Sequence, residues 1–185
     1  MKGTHAAGGS AGKGLASRLV GAWLRRRGGV EGRFTLAGGR PLPAIRNEGS
    51  RILLQDVVIH PAVRLWANRG GVLRAGEGTV FMDGAEVVAW REVTIGRGVV
   101  LGPFALVMDT DLHEIPGGRL ENRPVVIGDG ALIGARAIIL KGVTIGAGAR
   151  VAPGCLVVRD VPDGAWAGGG PARVLKILEE KPNGG

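Results

Sequence analysis

The residue of this chain best suited to acid–base chemistry is His113, which lies in the polar segment MDTDLHEIPGGRLENRP, residues 108–124. A neutral imidazole can accept a proton from a substrate at cellular pH and later release it. Asp109, Asp111 and Glu114 flank the histidine and could orient its ring or stabilise the imidazolium. His113 is therefore a candidate acid–base residue, and we assign the three carboxylates to an expected acceptor site; the alternative is that all four side chains are simply solvated.

Few other side chains of the chain suggest catalysis or metal binding. His5 lies in a glycine-rich start, and His60 follows Ile59 without a second histidine at a metal-ligand spacing. The single cysteine, Cys155, cannot form an internal disulfide and is interpreted as a small buried side chain. We assign no metal ligand.

A repeat of six residues predicts the elements that must position His113. Two columns of small or branched aliphatic residues recur without a slip: Ile127, Ile133, Ile139, Ile145, Val151 and Val157, and, two residues earlier, Val125, Ala131, Ala137, Val143, Ala149, Cys155 and Val161. Neither a helical period of 3.6 nor a simple strand period of 2 produces this spacing. The hexads predict a parallel β-helix, in which each hexad is a strand plus a corner and stacked coils share one core.

The repeat also extends toward the N-terminus, with irregularities. We interpret Leu53, Ile59, Leu65, Ile95, Leu101 and Val107 as one phase, with Gly71, Glu77, Asp83 and Ala89 in the same column between them. From Val107 to Ile127 is 20 residues, two more than an 18-residue coil. We therefore predict an extruded loop over residues 108–124, and such loops on rigid scaffolds often carry function.

The flanking segments complete the expected organisation. Residues 1–32 are basic and partly disordered, with an amphipathic helix over 15–27, and residues 33–50 are a Pro/Gly-punctuated connector. The β-helix occupies 51–165. Residues 166–185 are assigned to a short C-terminal helix and a tail, because Pro171 can occupy the first turn of a helix that runs to about Lys181.

Composition is consistent with one domain of 185 residues, with 45% hydrophobic and 4% aromatic residues. The 24 Lys and Arg exceed the 16 Asp and Glu, and the net charge of +8 favours an anionic partner. By charge alone this partner could be a phosphorylated cofactor, a membrane lipid or nucleic acid; of these, we do not expect nucleic acid. The single cysteine, the lack of a membrane-length apolar run and the lack of a signal-peptide core favour a cytoplasmic protein. We expect the helix over residues 15–27 to pack on the β-helix or on a neighbouring subunit, and the alternative is peripheral contact with an anionic membrane.

The string IGDGALIGARAIILKGVTIGAGARVAPGCLVVRDVPDGAWAGGGPARVLKIL resembles the C-terminal half of hexapeptide-repeat acyltransferases, in particular galactoside, maltose and exopolysaccharide O-acetyltransferases. The resemblance is specific from about Val80 to Leu178 and includes the segment around His113. It implies an all-β, left-handed parallel β-helix of triangular section. It also implies a homotrimer with active sites between subunits.

The resemblance further implies transfer of an acetyl group from acetyl-CoA to a hydroxyl or amine of a saccharide or polysaccharide precursor, without a metal. His113 matches the family's catalytic histidine. Asp83 stands where family members often have an Asn that holds the acceptor. The residues that the resemblance assigns to the CoA groove are Ala135, Pro153, Val158, Arg159 and Arg173.

Two other functions remain open from the sequence. The first is a non-catalytic β-helix scaffold that binds an anionic surface through residues 13–27. The second is a metalloenzyme like the γ-class carbonic anhydrases, which use a similar β-helix and need about three protein ligands around zinc. The second is disfavoured because His60 and His113 are the only histidines outside the glycine-rich start.

Overall fold

A computed structural model describes residues 22, 29–112 and 120–177 of the chain. In these residues the chain winds through stacked, parallel coils, and the predicted all-β, left-handed parallel β-helix is confirmed. The strands are β1 Val30–Leu36, β2 Ala44–Asn47, β3 Arg51–Ile59, β4 Arg64–Ala67, β5 Val72–Ala75, β6 Val80–Phe81, β7 Glu86–Ala89, β8 Glu92–Ile95, β9 Val100–Leu101, β10 Leu106–Met108, β11 Val125–Ile127, β12 Leu132–Ile133, β13 Ile138–Ile139, β14 Thr144–Ile145, β15 Arg150–Val151, β16 Leu156–Val157, β17 Ala165–Gly169 and β18 Ala172–Ile177.

The strands stack into three faces of a prism. The first face contains the first halves of β1 and β3, followed by β5, β8, β11 and β14. The second face contains the second halves of β1 and β3, followed by β6, β9, β12, β15 and β17. The third face contains β2, β4, β7, β10, β13 and β16. Each coil therefore crosses the three faces in turn.

The core fills the inside of the prism with like residues above like residues. Ile127 pairs in register with Ile145, and Ile133 pairs with Val151. These four side chains are at most 1% exposed. Since neighbouring parallel strands lie about 4.8 Å apart, each branched side chain packs on the equivalent side chain of the next coil.

Corners between the faces also stack from coil to coil. The first corner, between the first and second faces, is formed by residues 76–79, 96–99, 128–131, 146–149 and 162–164. The second corner, between the second and third faces, is formed by residues 60–63, 82–85, 102–105, 134–137 and 152–155. The third corner, which returns the chain to the first face, is formed by residues 48–50, 68–71, 90–91, 109–112 with 120–124, 140–143 and 158–160.

The N-terminal boundary of the β-helix differs from the sequence prediction. Strands β1 and β2 form a first coil, so the β-helix begins at Val30 and includes most of the expected connector, residues 33–50. The amphipathic helix predicted for 15–27 lies outside the described residues, except for Ala22. Across the described part of the chain, no helix has the length and apolar character needed to span a membrane.

The predicted register of the early coils is wrong in two respects. Leu54, rather than Leu53, is the buried residue, and it pairs with Ala75 of the following coil on the first face. Ala75 and Phe81 occupy the inward column in place of Gly71 and Glu77. The six-residue spacing keeps its phase from Leu65 to Ile95 because the extra residues at two corners together have the length of one hexad.

Those extra residues lie at the third corner, where the chain also departs most from regularity. Six residues separate Ile139 from Ile145 at a regular third corner, whereas ten separate Leu65 from Ala75. Between Val107 and Ile127 the chain passes directly from the third face to the first face. The interval of 20 residues is therefore one hexad with a long insertion, rather than a whole coil with two residues added.

The predicted C-terminal helix is wrong. Ala172–Ile177 forms strand β18, which pairs antiparallel with β17 at the end of the second face. The run Gly168–Gly170 allows the chain to reverse direction, and the β-branched Val174 and Ile177 suit the pairing with an open strand edge. The rest of the predicted helix, residues 178–181, lies outside the described residues.

Two neighbouring residues of β14 test whether the inward column carries the stability. Ile145 is fully buried, whereas Thr144 on the same strand is exposed. We expect Ile145→Ala to lower the free energy of unfolding by about 2–5 kcal/mol, because it removes core contacts and leaves a cavity. Thr144→Ala should change it by less than about 0.5 kcal/mol. Urea unfolding of both variants checks this, and equal destabilisation would contradict the inward assignment.

Candidate functional site

The insertion at the third corner leaves the prism after β10 and returns to it before β11. Its two ends are joined, because the Arg123 amide donates to the Asp109 carbonyl at 2.9 Å. The Gly142 amide of the next coil donates to the Arg123 carbonyl at 3.0 Å. The ends of the insertion are therefore fixed to the scaffold. His113 and Glu114 lie outside the described residues.

Asp109 has a structural role that differs from the predicted acceptor-site role. Its side chain is fully buried. Its carboxylate oxygens accept hydrogen bonds from the backbone amides of Trp90, Arg91 and Glu92 at 2.7–2.8 Å. Because both oxygens are used in this way, Asp109 organises the turn of the preceding coil and anchors the start of the insertion.

Asp111 forms an ion pair with Lys141, which belongs to the regular third corner of the next coil. The ammonium group of Lys141 also lies 3.9 Å from a carboxylate oxygen of Glu121. Glu121 belongs to the returning arm of the insertion, residues 120–124. Lys141 is not among the residues predicted from the sequence. The sequence signal that could have pointed to Lys141 is its position directly after Leu140, at the first regular third corner that follows the insertion.

Asp83 lies at the second corner, on a different edge of the prism from the insertion. Its carboxylate is half exposed, and its Oδ2 lies 3.3 Å from Nδ1 of His60 in the coil above. From the sequence, His60 is considered only as a potential metal ligand, and its contact with Asp83 is not predicted. In the part of the chain that the structure describes, no group of three or more His, Cys, Asp or Glu residues is placed to hold a metal.

A shallow groove of about 460 Å³ runs along the second corner below Asp83. It contains two of the residues assigned to the CoA groove, Ala135 and Pro153, and its lining is completed by Pro103, Phe104, Arg136 and Gly154. These residues come from three successive coils, so the groove follows the axis of the prism. An elongated ligand could lie along it.

Phe104 and Arg136 give this groove its character. The Phe104 ring is 58% exposed, and the Arg136 guanidinium lies 5.9 Å from the ring centroid. A Cβ atom at Gly84 would lie 2.5 Å from ring carbons of Phe104, so this glycine makes room for the ring. The groove therefore combines an apolar wall with a guanidinium, a chemistry that suits an anionic ligand with an apolar part.

The remaining predicted cofactor residues lie elsewhere. Val158 and Arg159 are exposed at the third corner of the last full coil, below the insertion. Arg173 is exposed on β18, opposite Gly168 of β17. A single protomer therefore divides the predicted site between its second corner, its third corner and the β17–β18 hairpin, with the third face between the two corners.

Comparison with known proteins supports the resemblance seen in the sequence. Residues 124–159 match the family described as bacterial transferase hexapeptide (six repeats). The chain is 33% identical over 166 residues to serine acetyltransferase 2 of Arabidopsis thaliana, covering 82% of this chain and 45% of that protein. It is 53% identical over 87 residues to nodulation protein L of Rhizobium meliloti, covering 45% of this chain and 48% of that protein.

A solved structure extends the similarity to most of the fold. A hexapeptide-repeat acetyltransferase of Vibrio cholerae, complexed with acetyl coenzyme A, superposes with a TM-score of 0.57 at 26% identity. The superposition covers 91% of this chain and 81% of that one. The chain spans about half the length of the curated relatives described above. The predicted resemblance to hexapeptide-repeat acyltransferases is confirmed.

The buried carboxylate of Asp109 leads to a stability prediction. Asp109→Ala leaves three backbone amides without their acceptor, so we expect the free energy of unfolding to fall by at least about 3 kcal/mol. Asp160 provides a matched control, since its exposed carboxylate accepts a single amide hydrogen bond, from Thr144 at 2.7 Å. Asp160→Ala should cost about 1 kcal/mol or less. Chemical denaturation measures both, and a neutral Asp109→Ala would refute the anchoring role.

Proposed function

We propose that this hexapeptide-repeat protein is an acetyl-CoA-dependent acyltransferase that acetylates a hydroxyl or amine of a saccharide or polysaccharide precursor. The observation that carries the proposal is the long insertion at one corner of an otherwise regular β-helix. It bears His113, and the β-helix superposes on that of an acetyltransferase complexed with acetyl coenzyme A. A rigid scaffold with one anchored, histidine-bearing insertion suits a general-base mechanism.

The donor is proposed to lie along the second corner. Coenzyme A is elongated and anionic, and the groove there extends over three coils with Ala135 and Pro153 in its lining. The Arg136 guanidinium lies in the same groove and can neutralise phosphate charge. Val158, Arg159 and Arg173 would contribute from the third corner and the terminal hairpin, where the structure leaves them exposed.

Chemistry is proposed to proceed by direct transfer. The imidazole of His113 accepts the proton of the acceptor hydroxyl or amine while that oxygen or nitrogen attacks the thioester carbonyl. The carbon–sulfur bond breaks when the tetrahedral intermediate collapses. The imidazolium then returns the proton to the CoA thiolate, so that free thiol and acetylated acceptor leave and the histidine is neutral again.

A second copy of the chain is proposed to complete the site. Asp83 and the donor groove lie at the second corner, whereas the insertion lies at the third corner, so neighbouring copies must bring these two edges together. The outer side of the third face and the adjoining third corner support close contact between copies, because apolar residues there are half-buried or exposed in a single protomer: Leu106, Met108, Ile138, Leu140, Leu156 and Val158. We propose a homotrimer with three such interfaces.

The acceptor is proposed to be a small saccharide held partly by Asp83. The Asp83 carboxylate is half exposed and therefore available to accept hydrogen bonds from sugar hydroxyls. L-Serine is the second acceptor to consider, since serine acetyltransferase 2 of Arabidopsis thaliana matches 82% of this chain. A panel of neutral sugars, amino sugars and L-serine separates the two.

The first functional prediction concerns His113. His113→Ala should lower acetyl transfer by about 10²–10⁴-fold, because the acceptor loses its general base. Acetyl-CoA affinity and thermal stability should stay near those of the parent protein. Release of CoA thiol in the presence of the acceptor panel measures transfer, and calorimetry measures binding. Unchanged turnover in His113→Ala, or failure of the parent protein to bind acetyl-CoA, would overturn the proposal.

The second functional prediction tests whether copies share sites. His113→Ala and Asp83→Ala should each be strongly impaired alone, but their co-expression should restore about a quarter of parental activity. Three quarters of randomly mixed trimers contain both variants, and each of these has one intact site of three. Differently tagged subunits allow mixed trimers to be purified. No recovery in mixed trimers would place both residues in one protomer's site.

A further inference from the structure

The arms of the insertion are held from the coils on both sides. From the preceding coil, the Arg91 guanidinium donates to the Asn122 carbonyl at 3.2 Å. From the following coil, the Gly142 amide donates to the Arg123 carbonyl at 3.0 Å. These contacts all reach the returning arm or the base of the insertion. None of them reaches residues 110–112, the leading arm, which runs directly into His113.

Lys141 contacts both arms. It pairs with Asp111 on the leading arm, two residues before His113, and its ammonium lies 3.9 Å from the Glu121 carboxylate on the returning arm. The side chains of Lys141 and Asp111 are only 17% and 28% exposed. An ion pair that is largely shielded from water is screened less by salt than a surface pair.

The backbone that carries Lys141 is rigid. The preceding Leu140 amide donates to the Val157 carbonyl of the next coil at 3.1 Å, and the following Gly142 amide is bonded to Arg123. Lys141 therefore extends from a fixed corner toward a segment that has left the β-helix. Its flexible stem ends in a charge that two carboxylates on opposite arms share.

We propose that Lys141 is a positioning residue: it joins the two arms of the insertion through Asp111 and Glu121 and so restrains the chain that carries His113. The catalytic consequence rests on the proposed function. The contacts of Lys141 with Asp111 and Glu121, here called the clasp, belong to the fold itself. Lys141 acts on the leading arm rather than on the substrate. Its loss should misplace the general base while leaving the second-corner groove intact, since the groove lies on another edge.

The kinetic test is Lys141→Met, which keeps the length of the side chain and removes the charge. We expect kcat to fall about 10- to 100-fold, because small displacements of a catalytic group are costly, with the KM for acetyl-CoA unchanged within about twofold. Asp111→Asn should show the same split. The charge-exchanged double variant Asp111→Lys with Lys141→Asp should recover part of the lost kcat.

Arg97→Met is the matched control. Arg97 also joins two coils, with its guanidinium 2.8 Å from the Asp129 carboxylate, but at the first corner, away from the insertion. The backbone hydrogen bond from Arg97, and then that from its side chain, lower the pKa of Asp129. Loss of this pair should leave kcat unchanged.

Hydrogen exchange of residues 109–124, measured by mass spectrometry, tests the clasp without any activity. Lys141→Met should speed exchange there and leave residues 125–161 unchanged, and Arg97→Met should change neither segment. If the parent protein transfers no acetyl group but this exchange difference appears, the proposed function fails and the clasp stands. Unchanged exchange, or a normal kcat in an active protein bearing Lys141→Met, would overturn the clasp. So would a loss of kcat that Asp111→Asn does not reproduce.

Discussion

The whole structure depends on the register in which one coil stacks on the next. Each inward aliphatic side chain packs on its equivalent in the neighbouring coil, as Ile127 does on Ile145, and the same register aligns the backbone hydrogen bonds. Because the coils are fixed relative to one another, their corners form three continuous edges. Chain that does not fit the hexads can only leave the prism at such an edge. The position of an insertion along the sequence therefore determines which edge carries it.

The third corner is where the coils accept extra chain. Its additions differ from coil to coil, and the largest, residues 109–124, is built so that the stacked strands on either side are undisturbed. The Asp109–Arg123 backbone hydrogen bond closes its base, and the buried Asp109 carboxylate caps the corner above. Lys141 then joins the two arms from the coil below. In this way the insertion, which would otherwise weaken the repeat, is attached to the regular coils that follow it.

Much of this could be predicted from the sequence, and the failures have physical reasons. The hexads from Val125 to Val161 specify strands, corners and core because their period is unique to stacked coils. The same period misled in the early coils, since extra residues between Leu65 and Ile95 restored the phase by coincidence. The C-terminal segment was assigned to a helix because local signals from Pro171 did not reveal that β17 offers an open edge for pairing.

The candidate site was only partly accessible from the sequence for a similar reason. His113 could be selected because it stands where the repeat fails. The roles of Asp109 and Lys141 depend on which corners lie side by side, and that requires the register in three dimensions. The separation of Asp83 from the insertion likewise follows from the assignment of each hexad to a face. It is this separation that makes a second copy of the chain necessary for the proposed chemistry.

The central claim is that two edges from neighbouring copies together form an acetyl-CoA site. A crystal structure of the protein with bound CoA tests it most directly. We predict a trimer in which CoA lies along the groove formed by Pro103, Ala135 and Pro153 of one copy. The CoA thiol should face His113 of a neighbouring copy. CoA bound elsewhere, or bound to a protomer whose third corner faces solvent, would contradict it.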